Sequence, residues 1–213
     1  MVGTKLWIPV IHLEAGLRSN DRKMPEEINR LVTDAISDVL WTPSADANEN
    51  LANEGVSPDR IDFIGNIMID SFEMLREKIE ASDERAQQGL QTGNYGLVTL
   101  HRPSNVDSLE TLAPIVEELV SISKELPIVF VAHPRTINGL ESFGLRTKLD
   151  AAEGIKLLAP VPYVRFMNLV TGARLVITDS GGLQEETTYL GIPCLTMRDN
   201  TERPITVSLG TNR

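Results

Sequence analysis

Arg174-Leu175-Val176-Ile177-Thr178-Asp179-Ser180-Gly181-Gly182-Leu183-Gln184-Glu185-Glu186 is the stretch whose reading decides the fold. Arg174 to Thr178 is a buried-strand run, and the segment after Gly182 is apolar-periodic until Gly191-Ile192-Pro193 closes it. The unit is therefore a strand, a glycine turn and a helix start. Ser180 is a favourable N-cap, and Gly181 and Gly182 let a ligand approach bare backbone N–H groups. Those groups and the positive end of the helix dipole make an anion site. Successive helical residues turn by about 100°, so only one of Glu185 and Glu186 can face the same ligand. Glu186 lies about 9 Å along the helix from Ser180 and leans back towards the N-terminus. It can accept hydrogen bonds from a hydroxylated group attached to a phosphate, such as a ribose. Taken alone, the stretch also reads as an ordinary βα turn with two solvated glutamates, because a Gly-Gly turn says less than a full phosphate loop.

Strand and helix patterns alternate around this unit. The second half predicts strands at Tyr95–Leu100, Ile128–Ala132, Ile155–Leu158, Arg174–Thr178 and Pro193–Met197. Its helices fall near Leu109–Glu125, Arg135–Leu149, Val164–Thr171 and Ser180–Leu190. Such alternation means βαβ units and a parallel, doubly wound sheet, with all strand C-termini on one edge. The first half predicts a strand over Lys5–Leu13 that delivers Glu14-Ala15-Gly16. A helix then opens at Pro25-Glu26-Glu27 with Ile28, Leu31, Val32, Ala35 and Ile36 on its apolar face. A strand at Asp38–Thr42, a helix at Pro43–Glu54, a strand at Ile61–Ile64 and a helix at Ile67–Ala81 follow. The polar stretch 83–94, with Gly89 and Gly93, reads as a linker between a domain at 1–82 and one at 95–213.

Bulk properties exclude several classes of function. With 213 residues and 41% hydrophobic composition, the chain suffices for one large or two small domains. A formal net charge of -10 argues against a nucleic-acid surface, yet leaves room for one anionic small molecule held by a local cluster. Cys194 is the single cysteine, which rules out an intrachain disulfide and fits a reducing compartment. Within Ile192-Pro193-Cys194-Leu195-Thr196 it reads as a buried small hydrophobe. No apolar run approaches the roughly 18–20 residues of a membrane span, and residues 1–9 lack a signal-peptide pattern. The expectation is a soluble, cytoplasmic protein that uses neither nucleic acid nor a membrane as partner.

The shared strand edge collects Glu14, His101-Arg102, His133-Pro134 and the Ser180 turn. An imidazole beside a guanidinium at this edge suits binding or protonating a phosphate; a packed loop histidine is the alternative. Arg203, beyond the last strand, suits forked phosphate binding, or else a surface salt bridge with Asp199 or Glu202. Glu14 and Glu26 can converge in one cleft as a carboxylate pair with divided acid and base roles, although Glu26 alone reads as a first-turn helix acid. Phe166, after Pro160-Val161-Pro162, can stack on a flat base or simply fill the core. No metal-ligand spacing, Gly-x-Gly-x-x-Gly turn or nucleophile elbow occurs, so no metal or other cofactor is indicated.

Together these pieces resemble one family. His12-Leu13-Glu14-Ala15-Gly16-Leu17-Arg18, Pro25-Glu26-Glu27-Ile28-Asn29-Arg30, His101-Arg102 with Asn105, Thr178 to Glu186, and Met197-Arg198-Asp199-Asn200-Thr201-Glu202-Arg203-Pro204 occur in the order found in the non-hydrolysing UDP-N-acetylglucosamine 2-epimerases. The resemblance implies a GT-B-like α/β fold of two Rossmann-like parallel-sheet domains, the N-terminal one incomplete and the C-terminal one nearly complete. It implies that Ser180, Gly181 and Gly182 hold a diphosphate with His101 and Arg203, that Glu186 binds the ribose, and that Phe166 sits beside the uracil; Arg102, next to His101, is expected to bind substrate as well. Glu14 and Glu26 would be the acid/base carboxylates.

The implied reaction converts UDP-N-acetylglucosamine into its ManNAc epimer. The sugar C2 proton has no adjacent carbonyl to acidify it, so similar enzymes eliminate UDP across C1–C2 and add it back to a 2-acetamidoglucal. Such a site stabilises a departing diphosphate and excludes water. Two departures stand out. The chain begins at the strand before the Glu14 motif and stops at Leu209-Gly210-Thr211-Asn212-Arg213, so it reads as an interior fragment. It also has His133-Pro134-Arg135-Thr136 where many bacterial members have His-Pro-Asn. The expected product is an epimerase serving polysaccharide biosynthesis. The alternatives are a UDP-binding remnant without turnover, a hydrolysing epimerase or a GT-B glycosyltransferase. A half-sheet with open strand edges and apolar surface also predicts a homodimer.

Overall fold

Parallel pairing alone builds both sheets. In the computed structural model, which describes residues 1–213, one sheet has three strands and the other five, all joined in parallel. The chain divides into two compact units, Met1–Ser71 with Asp199–Ser208, and Phe72–Arg198 with Leu209–Arg213.

The first unit runs α1 (Val2–Lys5), β1 (Ile11–Leu13), α2 (Pro25–Ile36), β2 (Val39–Thr42), α3 (Ala45–Asn53), β3 (Ile61–Phe63) and the start of α4 (Ile67–Glu80). A short helix at Ile205–Ser208 also belongs to this unit. Its sheet order is β1-β2-β3. The strand expected over Lys5–Leu13 is shorter than that. Val2–Lys5 is helical and Trp7 takes a positive φ of 58°, so only Ile11–Leu13 pairs, in register with Val39–Trp41. Pro9 explains the limit, since it has no N–H to extend the ladder. The core is small: Ala15, Leu40 and Leu51, with Val56 and Ile61 against them.

Helix α2 reverses its expected faces. Ile28, Val32 and Ala35 are exposed, while Glu27 and Asp34 are buried. Apolar periodicity placed the helix correctly but pointed to the wrong inward face. Buried carboxylates win because they hold the loop after β1, as described below.

The second unit continues with α5 (Glu84–Gln87), β4 (Gly96–Thr99), α6 (Pro103–Val106), α7 (Leu109–Ile122), β5 (Ile128–Val131), α8 (Pro134–Ser142), α9 (Arg146–Asp150), β6 (Ile155–Leu158), α10 (Tyr163–Gly172), β7 (Leu175–Thr178), α11 (Gly181–Leu190) and β8 (Cys194–Thr196). Its sheet order is β6-β5-β4-β7-β8. Alternate residues feed two cores, as the two-residue period of a strand requires. Leu97, Val129, Val131 and Val176 pack with Met167, Val170 and Leu183 on one side. Val98, Ile128, Phe130 and Ile177 pack with Leu112, Val116 and Leu140 on the other.

The helix expected over Arg135–Leu149 is two helices. Gly144 takes φ +67°, the Leu145 N–H donates to the Leu140 carbonyl at 2.8 Å and the Gly144 N–H to the Glu141 carbonyl at 3.1 Å. That is a Schellman stop, built on a glycine that adopts the left-handed conformation without strain. Residues 83–94 contain α5, whose Glu84 is 1% exposed and pairs with Arg165 of α10. No helix is long and apolar enough to cross a membrane.

Candidate functional site

Strand order creates a crevice in the second unit. From β4 the chain moves to β5 on one side, whereas β7 leads to β8 on the other. Ligands of open α/β sheets bind outside the carboxyl ends of strands at such a reversal. Here His101-Arg102 follow β4, and Asp179-Ser180-Gly181-Gly182 follow β7. The two segments reach the same edge although 78 residues separate His101 from Asp179.

Asp179 joins them. Its carboxylate, fully buried, accepts the backbone N–H groups of His101 at 3.0 Å and Arg102 at 2.8 Å, and the Asn105 amide at 2.9 Å. His101 Nδ1 lies 2.8 Å from its other oxygen. Burial pushes the Asp179 carboxyl up, but His101, the backbone N–H groups and Asn105 outweigh it and hold the group below the ordinary range. An ionised carboxylate only accepts, so His101 Nδ1 is the donor to it. Arg102 Nε in turn donates to the Asp179 carbonyl at 2.9 Å.

The turn after β7 forms as its residues suggest. Ser180 is extended, with φ -80° and ψ 125°, and its Oγ accepts from the Leu183 N–H at 3.5 Å, a weak cap. Gly181 and Gly182 open the ten-residue α11, where first-turn N–H groups have no intrahelical acceptor. Glu186, on the same helix, is 4% exposed and takes a 2.6 Å hydrogen bond from the Tyr163 hydroxyl. Burial holds the Glu186 carboxyl above the ordinary range; the Tyr163 hydrogen bond pulls against this and the neighbouring Glu185 charge adds to it. Phe166 is half-buried and lines a pocket of about 170 Å³ with Thr99, Val131, Ala132, His133, Pro160 and Val161. The His133 ring lies 5.9 Å from that of His101, and its Nδ1 accepts the Arg135 N–H at 3.2 Å, capping α8.

A second cluster occupies the first unit. Glu14, at the end of β1, adopts φ +64°, an uncommon conformation for a residue with a Cβ. The loop around it is pinned by Asp34, which is 1% exposed. Asp34 accepts from His12 Nδ1 at 2.5 Å, the Gly16 N–H at 3.1 Å and Arg18 at 2.7 Å. Burial raises the Asp34 carboxyl, yet His12 and Arg18 prevail and hold it below the usual range. Arg18 is buried as well and grips Glu54 through two contacts of 2.7 and 2.8 Å. Gly16 is sterically required: with φ +81°, a Cβ there would stand 2.4 Å from the Ala47 carbonyl oxygen.

Arg203 is buried, not at the surface. Its guanidinium meets Glu202 at 2.9 Å and Glu14 at 3.8 Å within this same unit. Glu26 is exposed at the second position of α2, and no hydrogen bond or ion pair joins it to Glu14. The buried acid of that turn is Glu27, which accepts from the Ser19 N–H at 2.9 Å, the Asn20 N–H at 3.0 Å and Arg30 at 2.8 Å.

The site residues thus fall into two groups. His101, Arg102, Phe166, Ser180, Gly181, Gly182 and Glu186 belong to the second unit, and Glu14, Glu26 and Arg203 to the first. Sequence reasoning passed over Asp179, Asp34, Glu27 and Tyr163 as site-forming residues. Asp179 stood inside the quoted motif, but only its burial reveals its role.

Comparison with known proteins adds an independent line. Residues 1–213 match the family model for UDP-N-acetylglucosamine 2-epimerase. A UDP-N-acetylglucosamine 2-epimerase of Methanococcus maripaludis is 44% identical over 217 residues, covering 100% of this chain and 59% of that protein. A UDP-2,3-diacetamido-2,3-dideoxy-D-glucuronate 2-epimerase of Pseudomonas aeruginosa is 39% identical, covering 100% of this chain and 58% of that protein. The crystal structure of Methanocaldococcus jannaschii UDP-GlcNAc 2-epimerase in complex with UDP-GlcNAc and UDP superposes with a TM-score of 0.90 at 45% identity. That superposition covers 99% of this chain and 59% of the other. The chain therefore spans rather less than two thirds of these relatives' length, and its two parallel-sheet units have the expected GT-B-like α/β class.

Proposed function

Because this chain belongs to the UDP-N-acetylglucosamine 2-epimerase family, we propose that it binds UDP-N-acetylglucosamine and takes part in its epimerisation to the ManNAc epimer. One observation carries this reading: the buried Asp179 carboxylate ties His101 and Arg102 to the Ser180-Gly181-Gly182 helix start at the reversal of strand order. A diphosphate needs that combination of N–H groups, helix dipole and cations.

Each residue then has a task. The first-turn N–H groups of α11 receive the diphosphate oxygens, with Arg102 as the cation of the same unit. The His101 ring, held by Asp179 through Nδ1, lines the diphosphate side of the site. Glu186 accepts from the ribose, and the pocket beside Phe166 takes the uracil. Glu14 and Glu26 exchange protons with the sugar. When a carboxylate removes the C2 proton, the C1–O bond breaks, its electrons leave with UDP, and a C1–C2 double bond forms. Re-addition of UDP with proton delivery to the opposite face gives the epimer.

Incubating the chain with UDP-N-acetylglucosamine in deuterated water tests this by NMR. The expected result is the ManNAc epimer with deuterium at C2. Calorimetric UDP binding with neither epimer nor exchange would favour a UDP-binding protein without turnover. Free UDP accumulating with free sugar would favour a hydrolysing epimerase or a GT-B glycosyltransferase. The Pseudomonas relative makes UDP-2,3-diacetamido-2,3-dideoxy-D-glucuronate the second substrate to try.

A homodimer in the cytoplasm completes the proposal. Trp7 at 94% exposure, Leu6, Ile8 and Phe63 leave apolar surface open in the first unit, and the lone cysteine suits a reducing compartment. Light scattering that returns a monomer mass at micromolar concentration would remove the dimer.

A further inference from the structure

Glu186 has one hydrogen-bond partner within the chain, the Tyr163 hydroxyl at 2.6 Å. A carboxylate has about four acceptor sites, so one phenol leaves most of its capacity unused in a position that is 4% exposed. Its second oxygen is not sealed in the interior without a partner, so that capacity is open to a donor from outside the chain.

The helix that brings Tyr163 is firmly held. Arg165 pairs with the buried Glu84. Asn168, fully buried, donates to the Ile79 carbonyl at 2.9 Å and accepts the Arg85 N–H at 3.1 Å. Tyr163 opens α10, and Phe166 follows three residues later, a spacing that places both on one helix side. One helix therefore supplies the wall of the 170 Å³ pocket and the phenol on Glu186. On α11, Ser180 and Glu186 stand six residues apart, about 9 Å along the axis, which suits the distance from a diphosphate to its ribose.

We propose that Tyr163 is a positioning residue: its hydroxyl locks one Glu186 oxygen so that the other accepts the ribose hydroxyls, and it thereby sets this site's preference for ribonucleotides over deoxyribonucleotides. The proposal rests on the reading of the Ser180 turn and Glu186 as a UDP site. A site built to hydrogen-bond a hydroxyl discriminates strongly against the analogue lacking it. Without the phenol, the Glu186 side chain is free to rotate or take up a proton, and that discrimination falls. Burial also pushes the Tyr163 hydroxyl well above its ordinary range, with the Glu186 hydrogen bond adding to this, so it stays a donor throughout the accessible pH range.

Calorimetry with UDP, 2′-deoxy-UDP, 3′-deoxy-UDP and pyrophosphate tests the idea on the wild-type chain, Tyr163→Phe and Glu186→Gln. The wild type should prefer UDP over at least one deoxy analogue by about tenfold or more, the worth of a charge-assisted hydrogen bond. Tyr163→Phe should lose most of that ratio while keeping its pyrophosphate affinity within about threefold, since that probe never reaches Glu186. A Tyr163→Phe chain that keeps the full ratio, while Glu186→Gln loses it, overturns the role of Tyr163 and leaves the UDP site standing. Equal loss of UDP, deoxy-UDP and pyrophosphate affinity in Tyr163→Phe overturns it too, because a merely structural defect behaves that way. A Glu186→Gln chain with undiminished preference removes the ribose role of Glu186 and this proposal with it. A wild-type chain that binds no UDP removes the proposed function itself.

Discussion

Replacing Asp179 by Asn changes one atom and should weaken the whole second unit. Asp179 Oδ2 accepts from the His101 N–H at 3.0 Å, the Arg102 N–H at 2.8 Å and the Asn105 amide at 2.9 Å, while Oδ1 faces His101 Nδ1 at 2.8 Å. An asparagine keeps one acceptor and points an NH₂ at donors on the other side. The less costly orientation puts that NH₂ against His101, whose ring must then move its proton from Nδ1 to Nε2. Three hydrogen bonds lose their charge assistance, which sums to a stability loss of about 2–4 kcal/mol. For a chain of this size that lowers the unfolding midpoint by roughly 5–10 °C. Its pH dependence is equally definite. The Asp179 carboxyl is held below its ordinary range, so its contribution is complete above the unfolded value near 3.9 and disappears as pH falls through the folded value. The difference between wild type and variant should therefore be full at pH 7 and close to nothing at the acid limit. Both tryptophans, Trp7 and Trp41, lie in the first unit, so fluorescence would watch the wrong half. Amide hydrogen exchange at His101 and Arg102, with urea melts followed by circular dichroism, reports on the right one. An unchanged melt at pH 7 with both amides still protected would falsify this account of Asp179.

Three further perturbations separate local from tertiary roles. Gly16→Ala should cost about 2–4 kcal/mol, because the new Cβ meets the Ala47 carbonyl oxygen at 2.4 Å in a left-handed backbone; a melt within error of wild type would contradict the packing around Gly16. Glu27→Gln should destabilise by about 1–3 kcal/mol through lost bonds to Ser19, Asn20 and Arg30, whereas Glu26→Gln should stay within about 0.5 kcal/mol. Equal effects of the two substitutions in urea melts would show that the buried and exposed acids had been confused. Cys194, 1% exposed and with its thiol raised by burial, should react with a thiol reagent only after denaturation; stoichiometric labelling of the folded chain would contradict its burial.

Local chemistry made much of this protein readable from its residues. Alternating strand and helix patterns implied parallel sheets, and Ser180-Gly181-Gly182 after a buried strand implied an anion-binding helix start, because periodicity and capping depend on near neighbours. What those neighbours cannot encode is who meets whom across long separations. Strand order β6-β5-β4-β7-β8 placed the crevice between β4 and β7. Burial of Asp179 depends on His101, 78 residues away, and the hold of Asp34 on the Glu14 loop depends on His12 and Arg18 across a helix and a turn. Helix α2 shows the same limit from the other side. Its apolar stripe marked a helix, yet Glu27 and Asp34 face inward because desolvated carboxylates supplied with several donors outweigh a stripe that nothing in this unit covers. The residue types that can hold a nucleotide were visible in the sequence; which carboxylates hold those residues in place was decided by tertiary structure, since a buried charge is stable only where distant parts of the chain bring it enough donors.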